Sequence, residues 1–463
     1  MEFHHKVLKF TKKDDPRTWW REYPPKCIYR KREISAEKVK KHLKMVFDDK
    51  NQKIGVYIQI PFCWSRCYFC KFYSEIPQSQ NEVDDYLNCM EKELYLYEID
   101  FKKVPLDNLY IGGGNPTLLS KRQWEKLFEI IYKFFIFRKD AQILTEGTPE
   151  TSTFEKLKLL KKLGVNRFTI GAQSFNEEVL KKANRPHNVK DIYRAIKNTR
   201  LAGIQYINLD ILLGLVGETR DSYNRIIKAI FDLRPDCVSF MTLDLCRGVN
   251  PDYMQKAKGL PFSMHSLIKE FLYSIFILEI TGTLYERAKG FRNVLTLKGK
   301  EDSVNRSLLN RSKINPVFGI GSVADSFLGF LQYSIPVHNR EYVAAITNTE
   351  LPRFVGTELN KDEYIRSYFV RSYVLWGKIN KKDFQKKFNL KVEQIIDRKF
   401  KELKDNQEYI DTGEDLIFLP SSKVIQEINK YSRKNYGQQE RAFLFCLKYF
   451  YSPKVINQYK EYF

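Results

Sequence analysis

The feature that most limits the fold is a regular alternation of short β-rich and amphipathic helical segments between about residues 54 and 243. The β-rich segments are apolar on both faces, as strands of a parallel sheet covered by helices are. Right-handed β–α–β connections allow either a doubly wound sheet or a barrel. Six strands are too few for an eight-stranded barrel, so the prediction is an α/β fold with a partial (β/α)6 TIM-like barrel. The predicted strands are 54–60, 108–113, 142–147, 167–171, 206–212 and 237–243, and the predicted helices between them are 81–100, 120–135, 150–163, 188–202 and 219–233.

The flanking segments divide the remaining chain. Residues 1–50 are a basic lead-in with a helix predicted at 35–48, and 51–245 hold the partial barrel. Residues 246–358 are expected to complete the barrel and to face a substrate. In 359–463, helices precede a short hairpin, a pattern typical of a small winged-helix-like α+β domain with a helical tail.

Composition narrows the functional classes. The net charge of +22 is compatible with a nucleic-acid partner, but the 78 Lys and Arg residues are spread along the chain without a long basic run. The first fifteen residues lack an apolar core segment, and the most apolar helix candidate, 267–282, contains charges and is too short to span a bilayer. Of eight cysteines only three are clustered, which argues against a disulfide framework and predicts a cytoplasmic protein.

The clustered cysteines lie in CWSRCYFC, where Cys63, Cys67 and Cys70 have spacings of three and then two intervening residues. Thiolates select zinc, copper(I) or iron–sulfur clusters. A structural zinc site has four ligands, usually as two close pairs, but here there is no second pair, and nothing marks the nearby His187 as a fourth ligand. A 4Fe–4S cluster on three cysteines leaves one iron open for another ligand. The spacing favours this cluster and leaves zinc or incidental cysteines as alternatives.

Four further motifs also follow predicted strands. GGGNP follows the second strand, EGTP the third, QSF the fourth and LLGL the fifth. Because parallel α/β folds bind ligands at the carboxyl ends of their strands, these motifs and the cysteines should share one site.

The string VYIQIPFCWSRCYFCKF resembles the radical S-adenosylmethionine (radical SAM) superfamily, in the branch of oxygen-independent coproporphyrinogen III oxidase, the haem chaperone and the class C methyltransferases. The strings IGGGNPTLLS, LGVNRFTIGAQSFNEEVLKKANRPH, INLDILLGLVGET and FGIGSVADSFLG follow in the family's order, and the resemblance covers about residues 54–330. It implies a 4Fe–4S cluster on Cys63, Cys67 and Cys70 whose open iron binds SAM. Reduction would then cleave SAM to a 5′-deoxyadenosyl radical that attacks an organic substrate.

The resemblance also implies roles for other residues, although it identifies no catalytic side chain. Glycines that allow close backbone approach would bind the methionine end of SAM, a carboxylate and two aromatic residues would contact SAM, and a second glycine-rich loop would close near the adenosine. The alternatives are a tight turn for the glycines, a solvated turn residue for the carboxylate and ordinary core packing for the aromatics. The residues implied for SAM are Gly112, Gly113, Gly114, Glu146, Tyr57, Phe69, Gly319 and Gly321. Those implied for a second SAM or the substrate are Gln173, Arg185, Asp210 and Asp325, and Arg185 could equally be a surface charge.

Several positions depart from the family pattern. Phe72 replaces a further cysteine of the oxidase, and Asp325 occupies the loop in which the haem chaperone has histidine. Asn115 replaces threonine, Val216 replaces proline, and the segment of about 245–315 has diverged. The core motifs are retained while the substrate-facing segment has diverged. The sequence therefore supports the radical chemistry and argues against a porphyrin substrate.

The functional hypothesis is therefore a radical SAM oxidoreductase or methyltransferase. It would act on a small organic substrate, take its electron from a flavodoxin- or ferredoxin-type donor, and use one or two SAM molecules, with C-methylation or cyclopropanation as candidate reactions. The alternatives are a haem chaperone of the same family and an RNA-modifying radical enzyme, the latter suggested by the charge and the winged-helix-like tail.

Overall fold

The fold is described from a computed structural model of the chain. The residues that it describes are 23, 24, 29, 32–243, 249–258, 285–287, 294–297, 299, 300, 314–418, 446, 449 and 450. The apolar helix candidate at 267–282 and most of the diverged segment lie outside this set.

Strands and helices alternate through the first half of the described chain. The strands are β1 (Glu33–Ile34), β2 (Gly55–Ile60), β3 (Leu106–Gly113), β4 (Phe137–Gly147), β5 (Arg167–Gln173), β6 (Tyr206–Leu213), β7 (Cys237–Thr242), β8 (Tyr285–Arg287), β9 (Val294–Leu297), β10 (Val317–Ile320), β11 (Asp325–Phe327), β12 (Leu331–Ser334), β13 (Phe354–Glu358), β14 (Lys378–Asn380), β15 (Tyr409–Asp411) and β16 (Asp415–Phe418). The α-helices are α1 (Ala36–Asp48), α2 (Gln80–Leu96), α3 (Lys121–Phe134), α4 (Phe154–Lys162), α5 (Glu177–Lys182), α6 (Val189–Leu201), α7 (Arg220–Leu233), α8 (Pro251–Lys258), α9 (Asn339–Thr347), α10 (Lys361–Trp376), α11 (Lys381–Phe388), α12 (Val392–Lys399) and α13 (Lys401–Asp405).

One large sheet forms the centre of the molecule. Its strand order is β1-β13-β12-β11-β10-β2-β3-β4-β5-β6-β7-β9-β8, and the run from β10 to β7 is parallel throughout. The strands beyond β10 and β7 pair antiparallel. The carboxyl ends of β2 to β6 therefore lie along the same edge, which is where ligands bind in parallel sheets.

The helices that follow these strands begin at residues with strong capping side chains. A Ser, Thr or Asn side chain accepts a hydrogen bond from a backbone N–H of the first turn and so satisfies a donor that the helix leaves unpaired. These caps are Ser79 for α2, Ser120 for α3, Thr153 for α4, Asn176 for α5, Asn188 for α6 and Thr219 for α7. The apolar faces of the helices pack on the sheet in one continuous core.

A second core lies beneath the C-terminal segment. Aromatic residues of α10 and α11, including Tyr364, Phe369 and Phe384, pack there with Phe418 of β16 and Phe327 of β11. Strands β14, β16 and β15 form a small antiparallel sheet, in which β14 precedes α11 and the β15–β16 hairpin follows α13. The assignment of this segment as a winged-helix-like domain stays a prediction.

The predicted fold class is confirmed, and every predicted strand of the barrel is present. The parallel run is longer than predicted, because β10 pairs with β2 through a register that sets Gly319 opposite Tyr57. The predicted helix at 150–163 begins later, at Phe154, because Pro149–Thr151 forms a 3-10 turn ahead of the Thr153 cap. Among the described residues, no helix has both the length and the hydropathy needed to cross a membrane.

A buried carboxylate attaches the turn after β10 to α2. The Glu93 side chain is fully buried and accepts hydrogen bonds from the Tyr342 hydroxyl (2.6 Å), the Tyr97 hydroxyl (2.9 Å) and the Gly321 amide (3.0 Å). Burial raises the pKa of Glu93 to about 7, although these three donors act in the opposite direction. Its charge near neutral pH is thus stabilised by neutral donors.

The raised pKa of Glu93 predicts a stability that falls with pH. Because the folded protein holds this proton more tightly than the unfolded chain, the stabilising effect is complete below the unfolded pKa of about 4.5 and is lost as the pH rises towards 7. Between pH 5 and pH 8 the free energy of unfolding of the wild type should fall by roughly 2–3 kcal/mol more than that of Glu93→Gln, since one pKa unit corresponds to about 1.4 kcal/mol. Urea unfolding at both pH values measures the difference, and parallel pH profiles for the two proteins would contradict it.

Candidate active site at the carboxyl ends of the strands

The three clustered cysteines lie on a closed loop that directly follows β2. The Cys63 amide donates to the Glu75 carbonyl (2.9 Å) and the Glu75 amide donates to the Pro61 carbonyl (2.7 Å), which closes the loop at its base. The far side is held by Tyr68, whose amide donates to the Ala183 carbonyl (3.1 Å) and whose carbonyl accepts from the Asn250 amide (2.8 Å). Hereafter, residues 63–75 are called the cysteine loop.

All three thiols of the cysteine loop are free and partly exposed. Burial raises the pKa of Cys63 to about 11 and also raises that of Cys70, and repulsion from the neighbouring thiolates adds to both shifts. Arg185 opposes these shifts and donates from Nη1 to Cys67 Sγ at 3.1 Å. The thiols are therefore close enough to repel one another when ionised, which is the situation that a bound cation relieves.

The spacing of these thiols is not that of a single-ion site. Within the described part of the chain, no three His, Cys, Asp or Glu side chains are grouped closely enough to hold one metal ion. In an iron–sulfur cluster each cysteine binds a different iron atom, so the sulfurs need not converge on a common point. The donor set of three thiols on one anchored loop fits such a cluster.

The glycines after β3 let the chain pass close to the cysteine loop. A Cβ on Gly114 would collide with the Phe62 carbonyl oxygen and would lie 3.0 Å from Cys63 Sγ. Gly113 has a φ of 121°, which other residues rarely adopt, and an added Cβ there would meet Gln59. Close packing against other segments of the chain is thus a sufficient reason for glycine at both positions.

Glu146, at the end of β4, is held by two donors. Its Oε2 accepts from the Tyr110 hydroxyl (2.6 Å), and its Oε1 accepts from the Gly113 amide (3.1 Å). The Tyr110 ring packs edge-on against Tyr57 with centroids 5.3 Å apart. A Cβ on Gly112 would lie 3.0 Å from both Glu146 Oε1 and the Tyr110 ring. These contacts bring Tyr57, Gly112, Gly113 and Glu146 together as predicted, and they add Tyr110.

The sequence analysis missed Tyr110. The sequence pattern that could have identified it is the two-residue period of β3, which places residues 110 and 112 on the same face of the strand.

A second group lies at the ends of β5 and β6, where Gln173 has a φ of 67° beside a register shift. A positive φ is uncommon for glutamine and often marks a functional position. Arg185 Nη2 donates to the Gly171 carbonyl at 2.5 Å, and Asp210 lies opposite Gly171 in the register. Among the described residues, Gln173 Oε1 and Arg185 Nε are buried and have no hydrogen-bond partner. These orphaned atoms suit a polar ligand at this position.

The remaining predicted residues are Asp325, Gly319, Gly321 and Phe69. Asp325 is on β11, separated from β5 by four strands in the sheet order, and its carboxylate accepts a hydrogen bond from Ser334. The glycine-rich segment turns into the β10–β11 hairpin at the edge of the parallel run, and the predicted role of Asp325 at a second SAM or the substrate stays a prediction.

Gly319 and Gly321 are close-packed against protein atoms. A Cβ on Gly319 would lie 2.6 Å from the Asp325 carbonyl oxygen, and one on Gly321 would collide with the Tyr86 hydroxyl. Phe69 is half-buried and packs against a small apolar cluster that includes Leu212 and Leu215. The predicted SAM contacts of these three residues stay predictions.

Two departures from the family pattern have local explanations. The Asn115 amide donates to the Thr148 hydroxyl (2.9 Å), and its side-chain oxygen accepts from the Thr117 hydroxyl (2.6 Å), so it joins two loops of the site edge. Val216, unlike proline, has a backbone N–H, and it donates to the Tyr253 hydroxyl at 3.0 Å. Both substitutions therefore contribute hydrogen bonds within the protein.

The sequence analysis also did not predict that two buried side chains, Glu218 and His187, stabilise the chain at this edge of the sheet. The Glu218 carboxylate accepts from the amides of Gly214 (2.7 Å) and Leu215 (3.2 Å), and burial raises its pKa to about 7. The His187 ring bonds to the Ala172 carbonyl at 3.1 Å and has its Nδ1 3.6 Å from Glu150, and burial lowers its pKa. These contacts give His187 a supporting role beside β5 and leave it unsuited as a fourth ligand for the cysteines.

Replacing Gly114 by alanine should disrupt the cysteine loop specifically. The added Cβ has no room between the Phe62 carbonyl and Cys63, so the loop must shift and iron bound per chain after anaerobic reconstitution should fall by more than half. Iron and sulfide analysis measures this.

The matched control is Gly203→Ala, at a glycine with a φ of 76° and no atom near an added Cβ. It should cost about 1 kcal/mol of stability and keep its iron. Equal iron content in both variants would contradict the assigned role of Gly114.

Comparisons with known proteins bear on the family and the fold of the chain. The model of the family described as the Radical SAM superfamily matches residues 57–230. The heme chaperone HemW of Bacillus subtilis is 27% identical over 369 residues, which are 79% of this chain and 94% of that protein. The oxygen-independent coproporphyrinogen III oxidase of Escherichia coli is 32% identical over 186 residues, covering 40% of this chain and 41% of the oxidase. The solved structure of coproporphyrinogen III oxidase (HemN) from Escherichia coli aligns with a TM-score of 0.73 at 20% identity, covering 93% of this chain and 96% of that chain, which shows a shared fold.

Proposed function

Because the chain carries a radical SAM domain and is homologous to HemW and to oxygen-independent coproporphyrinogen III oxidase, we propose that it is an enzyme that cleaves SAM reductively and uses the resulting radical on an organic substrate. The family implies a 4Fe–4S cluster and SAM. A reduced cluster with an open iron supplies the electron that splits SAM into methionine and a 5′-deoxyadenosyl radical. The rest of the proposal concerns what the residues of this chain contribute.

The observation that carries the proposal is the contact between the cysteine loop and the β3 glycines. Cys63, Cys67 and Cys70 are the proposed cluster ligands, and Gly114 lies directly against Cys63. A ligand on the open iron would therefore border the backbone of Gly112 to Gly114. This arrangement supports binding of the methionine end of SAM by these glycines.

Glu146 is proposed to hold the amino group of SAM. Its carboxylate is oriented by the Tyr110 hydroxyl and the Gly113 amide, so it is fixed before a ligand arrives. A fixed anion binds an ammonium group with less loss of side-chain entropy than a mobile one. Tyr57, packed against Tyr110, is proposed to border the same ligand.

Gln173, Arg185 and Asp210 are proposed to bind the substrate or a second SAM. The buried Gln173 Oε1 and Arg185 Nε have no hydrogen-bond partner in the described part of the chain, so a polar ligand would supply the hydrogen bonds that they lack there. None of the relatives reported above is named as a methyltransferase. We therefore propose first that the radical abstracts a hydrogen atom from the substrate. C-methylation or cyclopropanation is the more specific reaction proposed.

A haem-binding function is the second candidate. It is favoured by the alignment with HemW, which extends over 94% of that chaperone. Titration of the reconstituted protein with haem discriminates the two. A saturable Soret shift at micromolar protein supports haem binding, and its absence removes this candidate.

Release of 5′-deoxyadenosine tests the proposed function. Anaerobically reconstituted wild type with SAM and dithionite should form 5′-deoxyadenosine and methionine, as measured by chromatography and mass spectrometry. Cys67→Ala should reduce this product at least a hundredfold, because only two ligands would remain. Cys89→Ala changes a buried cysteine of α2 and should keep most of the activity.

An intact cluster without any 5′-deoxyadenosine in the wild type would refute the proposal. Formation of S-adenosylhomocysteine as a further product would identify methyl transfer.

The Tyr110 contact gives a prediction for SAM affinity. Tyr110→Phe should weaken SAM binding about tenfold, because loss of one hydrogen bond to a carboxylate costs about 1.5 kcal/mol and frees Glu146 to turn. Equilibrium dialysis with labelled SAM measures the dissociation constant. Tyr132→Phe removes a hydroxyl that bonds to the Leu163 carbonyl away from the site and should leave it unchanged. Equal affinities for the Tyr110 variant and the wild type would exclude this positioning role.

A further inference from the structure

The outer surface of the cysteine loop is unusually apolar for an exposed segment. Trp64, Tyr68, Phe72 and Ile76 are all exposed there, with Phe72 at 63% and Ile76 at 59%. Three of them lie in the cysteine loop and Ile76 directly follows it, so all four fall within thirteen consecutive residues. Elsewhere in the described chain, no thirteen-residue window holds more than two large exposed apolar side chains. Clustered exposed aromatic residues are typical of binding surfaces. These four side chains are called the loop surface below.

The loop surface is fixed in place without a partner. The backbone bonds at Cys63 and Glu75 close the loop, and those of Tyr68 attach it to the segments after α5 and before α8. The Asn184 side chain also donates to the Arg66 carbonyl at 2.9 Å. A preformed surface loses little conformational entropy when a partner binds.

Cations border this surface. Arg66 is exposed within the loop, and Lys181 and Lys182 are exposed in the last turn of α5, next to the Ala183 carbonyl that binds Tyr68. Carboxylates also lie nearby: Glu75 accepts a hydrogen bond from the Tyr73 hydroxyl, Glu82 accepts one from the Gln78 amide, and two glutamates occupy the first turn of α5. With a net charge of +22 on the chain, the long-range field also favours a negatively charged partner.

A cavity leads from this surface to a proposed cluster ligand. It has a volume of about 400 Å³ and is lined by Cys63 together with Arg66, Glu75, Ile76 and Glu82. Its lining includes none of the β3 glycines, so it reaches Cys63 from outside the proposed SAM site. A protein docked here would come close to a thiolate ligand without entering the substrate pocket.

We propose that the loop surface is the docking site for a small acidic protein that carries one electron at a time. The inference rests on the proposed function, which requires an external electron for each SAM cleaved. The partner protein passes one electron to the cluster and is itself oxidised by one electron, and no proton or bond changes in that step. Aromatic residues of the loop surface supply the contact area, and the bordering cations set the orientation and the association rate.

The test compares a protein donor with dithionite, a small reductant that needs no docking site. The measured quantity is 5′-deoxyadenosine formed from SAM, driven either by chemically reduced flavodoxin at several concentrations or by dithionite. The variants are Phe72→Ser and the double variant Lys181→Glu/Lys182→Glu. Both should raise the KM for flavodoxin about tenfold while leaving iron content and the dithionite-driven rate within twofold of the wild type.

Matched controls lie at the opposite edge of the sheet. Leu201 has the same exposure as Phe72, 63%, and Lys161 and Lys162 are an exposed lysine pair in the last turn of α4. Leu201→Ser and Lys161→Glu/Lys162→Glu should leave the KM for flavodoxin within twofold of the wild type. Raising the salt concentration should raise this KM for the wild type more than for Lys181→Glu/Lys182→Glu.

The outcomes distinguish a failure of the docking-site proposal from a failure of the proposed function. An unchanged KM for flavodoxin in both loop-surface variants overturns the docking site. So does an equal loss with flavodoxin and with dithionite, since the surface would then serve the cluster or SAM. Absence of product from the wild type with dithionite and an intact cluster instead refutes the proposed function.

Discussion

The structure depends on how closely the segments that follow two neighbouring parallel strands can approach each other. β2 and β3 run side by side, and the chain that leaves β3 must pass the chain that leaves β2 with no side chain between them. Gly114 makes this possible, because even a methyl group would strike the Phe62 carbonyl. The cysteine loop consequently borders the segment after β3, with Cys63 Sγ beside Gly114.

Buried carboxylates that accept hydrogen bonds from neutral donors hold the surrounding loops. Glu93 accepts from the turn after β10, and Glu218 accepts from the turn after β6. In both cases tyrosine hydroxyls and backbone amides share the negative charge, and in both cases burial raises the pKa to about 7. Hydrogen bonds from neutral donors are directional, so these contacts fix the loops more narrowly than a surface ion pair would.

The sequence was most informative where residue type and strand period have one physical solution. The barrel strands were predicted because both faces are apolar, and the placement of the motifs followed from the common direction of parallel strands. Tyr110 was missed because an aromatic residue on a strand is usually core, and only the structure reveals its hydroxyl on Glu146. The position of Asp325 on β11, with four strands between it and β5 in the sheet order, was not predicted, since pairing partners distant in sequence cannot be read from local pattern. In the sequence, Asn115 and Val216 are only departures from the family pattern. The structure shows that the Asn115 side chain and the Val216 backbone amide each donate a hydrogen bond within the protein.

The contact of Arg185 with Cys67 has a consequence for how distant parts of the sheet edge are coupled. The guanidinium donates to that thiol and to the Gly171 carbonyl, so one side chain links the cysteine loop to β5. The cysteine loop follows β2, and two strands lie between β2 and β5 in the sheet. A displacement at either position therefore changes a hydrogen bond at the other, without passing through the strands between them.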